Sequence, residues 1–530
     1  MLKSLLRPLP ATLVLVVIWT VWRLAFLAHT GVPQPAVHDE FSYLVGADTF
    51  AHGRLANPPH AFAKFFESPH LIVHPTYASK FPPGQAMFLA LGEVVFGSPF
   101  YGVILGNILM LLTVCLMLFE WVSPQWAVAV SAMFGLMLWP GMYWTDSYWG
   151  GSVAASGGAL VLLGIGIHRK KQTVLAGALF AIGVLLLFWT RPFEGGVFTL
   201  LVLIGFGKEI WQKRRASVLL TVLSLLVVGG AWSCYDNYAV TGNLFLFPHI
   251  LHQRQYQVQP LFWFQPLRPE PTYSSPRLAA LHGLNGLERK DYYDGGHGGW
   301  RRVVSRTLGP LSTLRFEFGA AILLMLLVPV AWREPLYRKM VIVSGLFLLA
   351  LGTETVRFEH YTAPVWAALA LLIAVWAEHA WNLRVRKVPI GAVLVLLALL
   401  SPVLFTPVFL PMVDSLLPRP IGLFFSRAPS KDKWPDRRAA LIRLLSARQK
   451  PQLVIVRYPL PGWRVPEEWV YNGADIDHQR VVLAHDFGPE QDQALLNYYP
   501  DRTAWLLTFN PETGLEHLQP YPRKTGNYAN

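Results

Sequence analysis

Long apolar runs broken by short polar, often basic, interruptions recur along the first 410 residues or so: 11–28, 101–120, 126–144, 150–167, 173–190, 194–207, 216–233, 313–332, 338–352, 362–380 and 388–410. Most are of the length that crosses a hydrocarbon core about 30 Å thick. The pattern predicts a polytopic α-helical membrane protein with about eleven transmembrane helices. One further apolar stretch, "PPGQAMFLALGEVVFG" at 82–97, is short, opens on a proline pair and carries Glu93. It reads as an interfacial or re-entrant helix. Beyond residue 413 the period changes. "DRRAALIRLLSARQ" and "EQDQALLNYY" read as helices, and "QLVIVRY", "RVVLAH" and "TAWLLTF" as strands. That alternation predicts a small C-terminal α/β domain. The division is therefore a transmembrane domain, 1–412, with outer loops at 29–100 and 235–312, and an α/β domain, 413–530.

Composition agrees with this class: 53% of the 530 residues are hydrophobic and only 15% charged, where a soluble chain carries about 25% charged residues. The net charge of +13 does not point to a nucleic-acid partner, because much of it falls in clusters between apolar runs: His168–Lys171, Lys208–Arg215 and Arg384–Lys387. Placing those clusters in the cytoplasm orients the chain. The segment 150–167 then runs inward, 173–190 outward, and both large polar loops and the C-terminal domain lie outside. The first run, 11–28, is too long for a signal peptide's apolar region, and no small-residue cleavage site precedes the acidic motif, so it reads as a retained span. The two cysteines, Cys115 and Cys234, lie in or beside apolar runs and make no disulfide framework.

On the outer side the walk collects His38, Asp39 and Glu40 in "VHDEFSYLVGAD", Lys80 in "YASKFPPG", Asp146 in "YWTDSYWGGS", Arg191 in "WTRPFEGG", and "RFEHYTAP" at 357–364. Charges at membrane depth are costly and usually functional, so their convergence predicts a cavity at the membrane surface. Each also has a structural reading. Asp39 is either a helix N-cap or a base. Glu40 points away from it on a helix and reads as a supporting or solvent-facing group. Asp146 either holds a turn or orients the reacting groups. Lys80 is a snorkelling interfacial lysine or a phosphate ligand, and Arg191 stops a span near the headgroups or does the same work as Lys80. His70 and His74 stand four apart, as metal ligands do on a helix, but Pro69 and Pro75 argue against a helix there. No P-loop, GxGxxG, HExxH or CxxC appears, which leaves a nucleotide-driven pump and a zinc hydrolase unsupported. No cofactor is indicated. A divalent metal is compatible with the chemistry but has no motif of its own, and no metal ligand is assigned. The outer loop 235–312 reads as a lid or as irregular packing.

The order of these motifs, an acidic pair after the first span, then Lys-Phe-Pro-Pro in the same loop, then an aspartate after the third span, resembles the GT-C glycosyltransferases. More closely it is similar to the family 39 (protein O-mannosyltransferase-like) and lipid A aminoarabinose transferase branch. The likeness covers the transmembrane part, most specifically residues 30–200. His38 before the acidic pair departs from the usual form of that loop. The resemblance implies an enzyme that moves a sugar from a polyprenyl-phosphate donor to a lipid, glycan or protein acceptor. It implies Asp39 as the general base and Lys80 as the ligand of the donor phosphate; the chemistry of the step adds Arg191 as a second cation for that phosphate and sets Glu40 and Asp146 beside Asp39 as further catalytic candidates. Tyr43, Arg357, His360 and Tyr361 become substrate-facing groups. The setting it implies is the outer face of a bacterial inner membrane, with membrane lipids as further partners. The chemistry is coherent in its own right, because a transferase outside the cytoplasm has no nucleotide sugars and needs a greasy groove, cations for phosphate and a carboxylate base. A transporter or flippase for lipid-linked glycans would want a similar groove; against it, the chain has no matching halves of the kind transporters repeat.

Overall fold

In this computed structural model, residues 7–138, 143–294, 318, 321–402 and 434–521 are described. The chain opens with helix α1 (Pro8–Thr30) and a shorter α2 (His38–Ala51). A two-stranded antiparallel hairpin follows, β1 (Leu71–Ile72) and β2 (Ala78–Ser79). Next come α3 (Pro83–Phe96), α4 (Phe100–Trp121), α5 (Pro124–Met137), α6 (Ser152–Lys170), α7 (Val174–Thr190), α8 (Pro192–Gln212) and α9 (Ala216–Thr241). The loop after α9 holds two short helices, α10 (Pro248–Tyr256) and α11 (Pro276–His282). The bundle resumes with helix at 321–327, α12 (Pro335–Leu351), α13 (Trp366–Ala380) entered through a 3-10 turn at Glu359–Val365, and α14 (Ile390–Pro402). Proline stands in the first turn of α1, α3, α5, α8 and α12, where its missing N–H costs nothing and its fixed φ suits the helix.

Among the described residues, five helices are long and apolar enough to cross a membrane: Pro8–Thr30, Phe100–Trp121, Ser152–Lys170, Ala216–Thr241 and Glu359–Ala380. Four more apolar helices are shorter. With its apolar composition, the chain is an integral membrane protein of the helical class. The run at 126–144 ends as helix at Met137, earlier than its hydropathy predicts, and α9 runs past 233 to Thr241. The 14 residues of α3 span about 21 Å at 1.5 Å per residue, less than the hydrocarbon core. The expected spans 313–332 and 388–410 lie partly outside the described residues.

The bundle is built around α6, buried almost throughout. Its small residues permit this. Gly157 meets Gly183 of α7, and a Cβ on Gly158 would collide with the Pro364 carbonyl. Close backbone approach through glycine is how helices associate where lipid removes any hydrophobic drive between them. The Gly158 contact fixes the turn carrying His360 and Tyr361 against the helix that follows Asp146.

The C-terminal part is the small α/β domain: α15 (Trp434–Ser446), β3 (Gln452–Arg457), β4 (Val481–His485), α16 (Pro489–Tyr498), β5 (Thr503–Phe509) and β6 (Glu516–Pro520). The sheet order is β4-β3-β5-β6, parallel except for the edge strand β6. β6 was not legible in the sequence, because Glu516, His517 and Gln519 give it the composition of an exposed edge. The domain does not have a core to itself. Phe41 and Val45 of α2, with Phe65, Phe66 and Leu71 of the segment between α2 and α3, belong to the same apolar cluster as Leu453, Val454, Trp469 and Tyr471. Tyr43 and Ala47, on the next face of α2, belong to the bundle core. Residues four apart share a helix face, so α2 is a wedge with one apolar face for each body. Phe41 stacks on Tyr471 at 4.5 Å, Tyr471 donates to the Pro69 carbonyl at 2.9 Å, and the Ala474 N–H donates to Asp48 at 2.6 Å. The segment between α2 and α3 and the C-terminal domain therefore lie on one side of the bundle.

Candidate functional site

Glu40, not Asp39, closes the start of α2. The helix begins after Val37, and the Glu40 carboxylate accepts from the N–H groups of Ala36 (2.7 Å) and Val37 (3.3 Å). Its other oxygen accepts from the Tyr148 N–H at 3.0 Å. Glu40 is fully buried, which rules out the solvent-facing alternative and leaves the supporting one. It ties α2 to the turn before α6. Asp39 is thus not the N-cap, and its carboxylate is released from that duty. It sits one turn before Tyr43, on the side of α2 that faces the bundle.

Three segments converge on Asp39. The hairpin brings Lys80 and His70 together, with the Lys80 N–H donating to the His70 carbonyl at 3.2 Å. His70 Nε2 lies 3.6 Å from Asp39 Oδ2. Arg191 occupies the break between α7 and α8, its guanidinium 4.0 Å over the Tyr361 ring and 3.7 Å from Glu194. Tyr43 stacks on Phe81 at 4.4 Å, beside Lys80. Burial pushes the Asp39 carboxyl up to about 6, while Lys80 and Arg191 pull it back down. Burial also lowers the Lys80 ammonium, against the pull of Glu288 and Asp39. Asp39, Tyr43, Lys80, Arg191 and Tyr361 thus form one cluster of charge and phenol.

The remaining candidates are placed differently. Asp146 pairs with Arg23 of α1 at 2.5 Å, and Arg23 is 1% exposed and also donates to the Thr145 carbonyl at 3.0 Å. Asp146 therefore fastens the turn before α6 to the first span. Nothing in the spacing of Arg23 and Asp146 announced their pairing. His360 shares a 2.5 Å hydrogen bond with the Tyr143 hydroxyl and stacks on Trp149 at 5.4 Å. Arg357 is half-buried within electrostatic reach of Glu354. His70 and His74 do not act together, since His74 is exposed and His70 is buried. His70 instead joins His252 and His282, from the loop after α9, a grouping that no sequence motif signals.

This pole lies at the N-terminal end of α6, and His168, Arg169 and Lys170 end the same helix. Its 19 residues separate the two by about 28 Å. At the far end Arg169 pairs with Glu209 at 2.6 Å, and Lys339 pairs with the same carboxylate.

No protein-family model matches the chain, and no curated protein matches its sequence. Among solved structures it is similar to ArnT from Cupriavidus metallidurans bound to undecaprenyl phosphate, at 14% identity and TM-score 0.49, over 95% of this chain and 92% of that one. It is also similar to the Archaeoglobus fulgidus oligosaccharyltransferase tethered with an acceptor peptide, at 12% identity and TM-score 0.46, over 94% and 68% of the two chains. The archaeal oligosaccharyltransferase AglB from that organism, in complex with an inhibitory peptide and a dolichol-phosphate, gives 13% identity and TM-score 0.44 over 94% and 69%.

Proposed function

We propose that this protein is a membrane glycosyltransferase that moves a sugar from a polyprenyl-phosphate donor to an acceptor on the extracytoplasmic face, with Asp39 as general base. The observation that carries the proposal is the Asp39 carboxylate itself. It is relieved of capping by Glu40, turned to the bundle, and under the influence of two cations from separate segments, Lys80 and Arg191. In the step proposed, the acceptor oxygen bonds to the anomeric carbon as its proton passes to Asp39. The bond from that carbon to the phosphate oxygen breaks, and the phosphate leaves with the electron pair. Lys80 and Arg191 offset the charge growing on the phosphate, the kind of stabilisation that counts most where water is excluded. Tyr43 and Tyr361 line the same space. The separation of this pole from the basic ends of α6 and α8 supports the outward orientation, and the first-loop motifs support the GT-C reading. The setting proposed is a bacterial inner membrane.

Asp39→Asn keeps the shape of the side chain and removes the base. Single-turnover sugar transfer should fall by about 10²–10⁴-fold, the range of general-base help, with donor binding and melting temperature unchanged. A wild-type rate in Asp39→Asn would return this aspartate to a structural role. Release of polyprenyl phosphate from the donor separates the enzyme from a transporter of lipid-linked glycans, which would leave that bond intact.

A further inference from the structure

We propose that His70, His252 and His282 bind one divalent transition-metal ion of the zinc type. The site does not depend on the transfer reaction. The three residues come from separate segments: the loop before β1, the middle of α10 and the last position of α11. Their ring centroids lie 5.5–5.9 Å apart. One ring nitrogen from each lies within 4.8 Å of the others. In a tetrahedral zinc site with bonds of about 2.0–2.1 Å, neighbouring nitrogens sit about 3.4 Å apart. Side-chain movements of about an ångström close that difference.

The nitrogens left over identify the site. His252 and His282 are completely buried and His70 is 7% exposed. His70 Nδ1, both ring nitrogens of His252, and His282 Nε2 have no hydrogen-bond partner among the described residues. A buried polar atom without a partner is unfavourable and calls for an explanation. Here several unpaired nitrogens share one pocket.

The paired nitrogens point the same way. His282 Nδ1 is 2.7 Å from Glu288 Oε2, which leaves Nε2 for a metal. Gln259 and Gln257 donate to that same oxygen at 3.0 and 3.2 Å, fixing the carboxylate. His70 Nε2 faces Asp39 at 3.6 Å, which leaves Nδ1. A carboxylate behind the imidazole sets its tautomer and aims its other nitrogen, the support that metal-bound histidines ordinarily have. His70 is also held with φ 66°, a left-handed backbone uncommon outside glycine. Its carbonyl is fastened there by the Ser42 hydroxyl at 2.7 Å and the Lys80 N–H at 3.2 Å.

Three neutral imidazoles select zinc, cobalt, nickel or copper over magnesium and calcium, which want oxygen. Glu288 and Asp39 offset the ion's charge. A bound ion would tie the first outer loop to both helices of the second.

The test uses the full chain without a polyhistidine tag, purified in detergent, stripped with chelator and titrated with Co2+. The expected result is one Co2+ per chain with the visible absorption of a nitrogen-ligated site, displaced by one equivalent of Zn2+ and untouched by Mg2+. His252→Gln and His282→Gln should each abolish uptake, and His249→Gln, one turn earlier on α10, should not. Glu288→Gln should keep the stoichiometry at saturation and weaken Zn2+ affinity by about 10–100-fold. A wild-type chain that shows no such absorption, or binds no more metal than the His252→Gln/His282→Gln double variant, overturns the site. The wild-type spectrum decides the matter even where a variant fails to fold. Since neither donor nor acceptor enters the measurement, its outcome is separate from that of the transferase proposal.

Discussion

Arg277 and Glu468 meet where the loop after α9 touches the C-terminal domain. The arginine donates to the glutamate at 2.7 Å and to the carbonyls of Trp463 (2.8 Å) and Glu467 (3.1 Å), with its guanidinium 3.6 Å over the Tyr458 ring. Glu468 accepts from the Tyr458 hydroxyl and from the Val470 N–H at 2.9 Å. At the Asp39 cluster, on the same side of the molecule, the carboxylate has its own backbone N–H, a histidine nitrogen at 3.6 Å and two cations that act through space. Both places bury charge brought together from distant segments. One is saturated with hydrogen bonds, and the other keeps bonding capacity for something that arrives. A saturated buried pair holds structure, because removing either partner leaves the other charge buried and uncompensated. An incomplete one is completed by a ligand.

The contrast breaks first at Arg277. Arg277→Met alone leaves Glu468 buried and unpaired, which should cost roughly 3–5 kcal/mol. Adding Glu468→Met should restore most of it, read from melting curves of the purified protein in detergent. Equal melting of wild type and the single variant would show that the pair is not structural. The same pair should set the acid limit. Burial by itself would raise the Glu468 carboxyl, but Arg277 and then His485 bring it down to about 2, against an ordinary glutamate near 4.3. A depressed carboxyl contributes stability above its unfolded pKa and loses it as pH falls towards the folded value. The domain contact should therefore weaken between about pH 4.5 and 2. The slope should be shallower in Glu468→Gln, measured by melting across that window.

At the other cluster the effect should appear in binding and not in stability. Lys80→Ala should weaken the polyprenyl-phosphate donor by about 10–100-fold, the worth of a hydrogen bond to a charged group, with an unchanged melting temperature. Lys80→Arg keeps the charge and should lose less. Equal donor affinity in all three proteins would return Lys80 to a snorkelling role. The smallest effect on transfer is expected at Glu40→Gln, which keeps one acceptor oxygen but turns an amide NH2 towards either the Tyr148 N–H or the Ala36 and Val37 N–H groups, costing about 1–3 kcal/mol of stability. Its transfer rate should stay within about tenfold of wild type, far from that of Asp39→Asn. A larger rate loss would place Glu40 among the reacting groups.

Asp39, Lys80 and Arg191 were legible in the sequence because charge stands out against apolar runs, although helix ends were less so, since α5 stops at Met137 and α9 runs on to Thr241. The different duties of Asp39 and Glu40 were not. Adjacent residues on a helix point to different surroundings, and only the fold shows that Glu40 turns back to the helix start and across to Tyr148 while Asp39 faces the bundle. Asp146 was legible as a special residue but not as the partner of Arg23. The histidines at 70, 252 and 282 follow no motif spacing, so no local pattern connects them.

By itself, then, the sequence determined the class of protein, most helix positions, the small α/β domain and which charges stand apart. Those follow from hydropathy, proline and period, which act over a few residues at a time. The tertiary structure alone decided which charges are satisfied and which are left incomplete. It also turned α2 into a wedge shared by two bodies, with Phe41 in one core and Tyr43 in the other. The physical reason is that a buried charge or an unpaired nitrogen takes its meaning from partners supplied by distant segments, and chain order does not encode that distance.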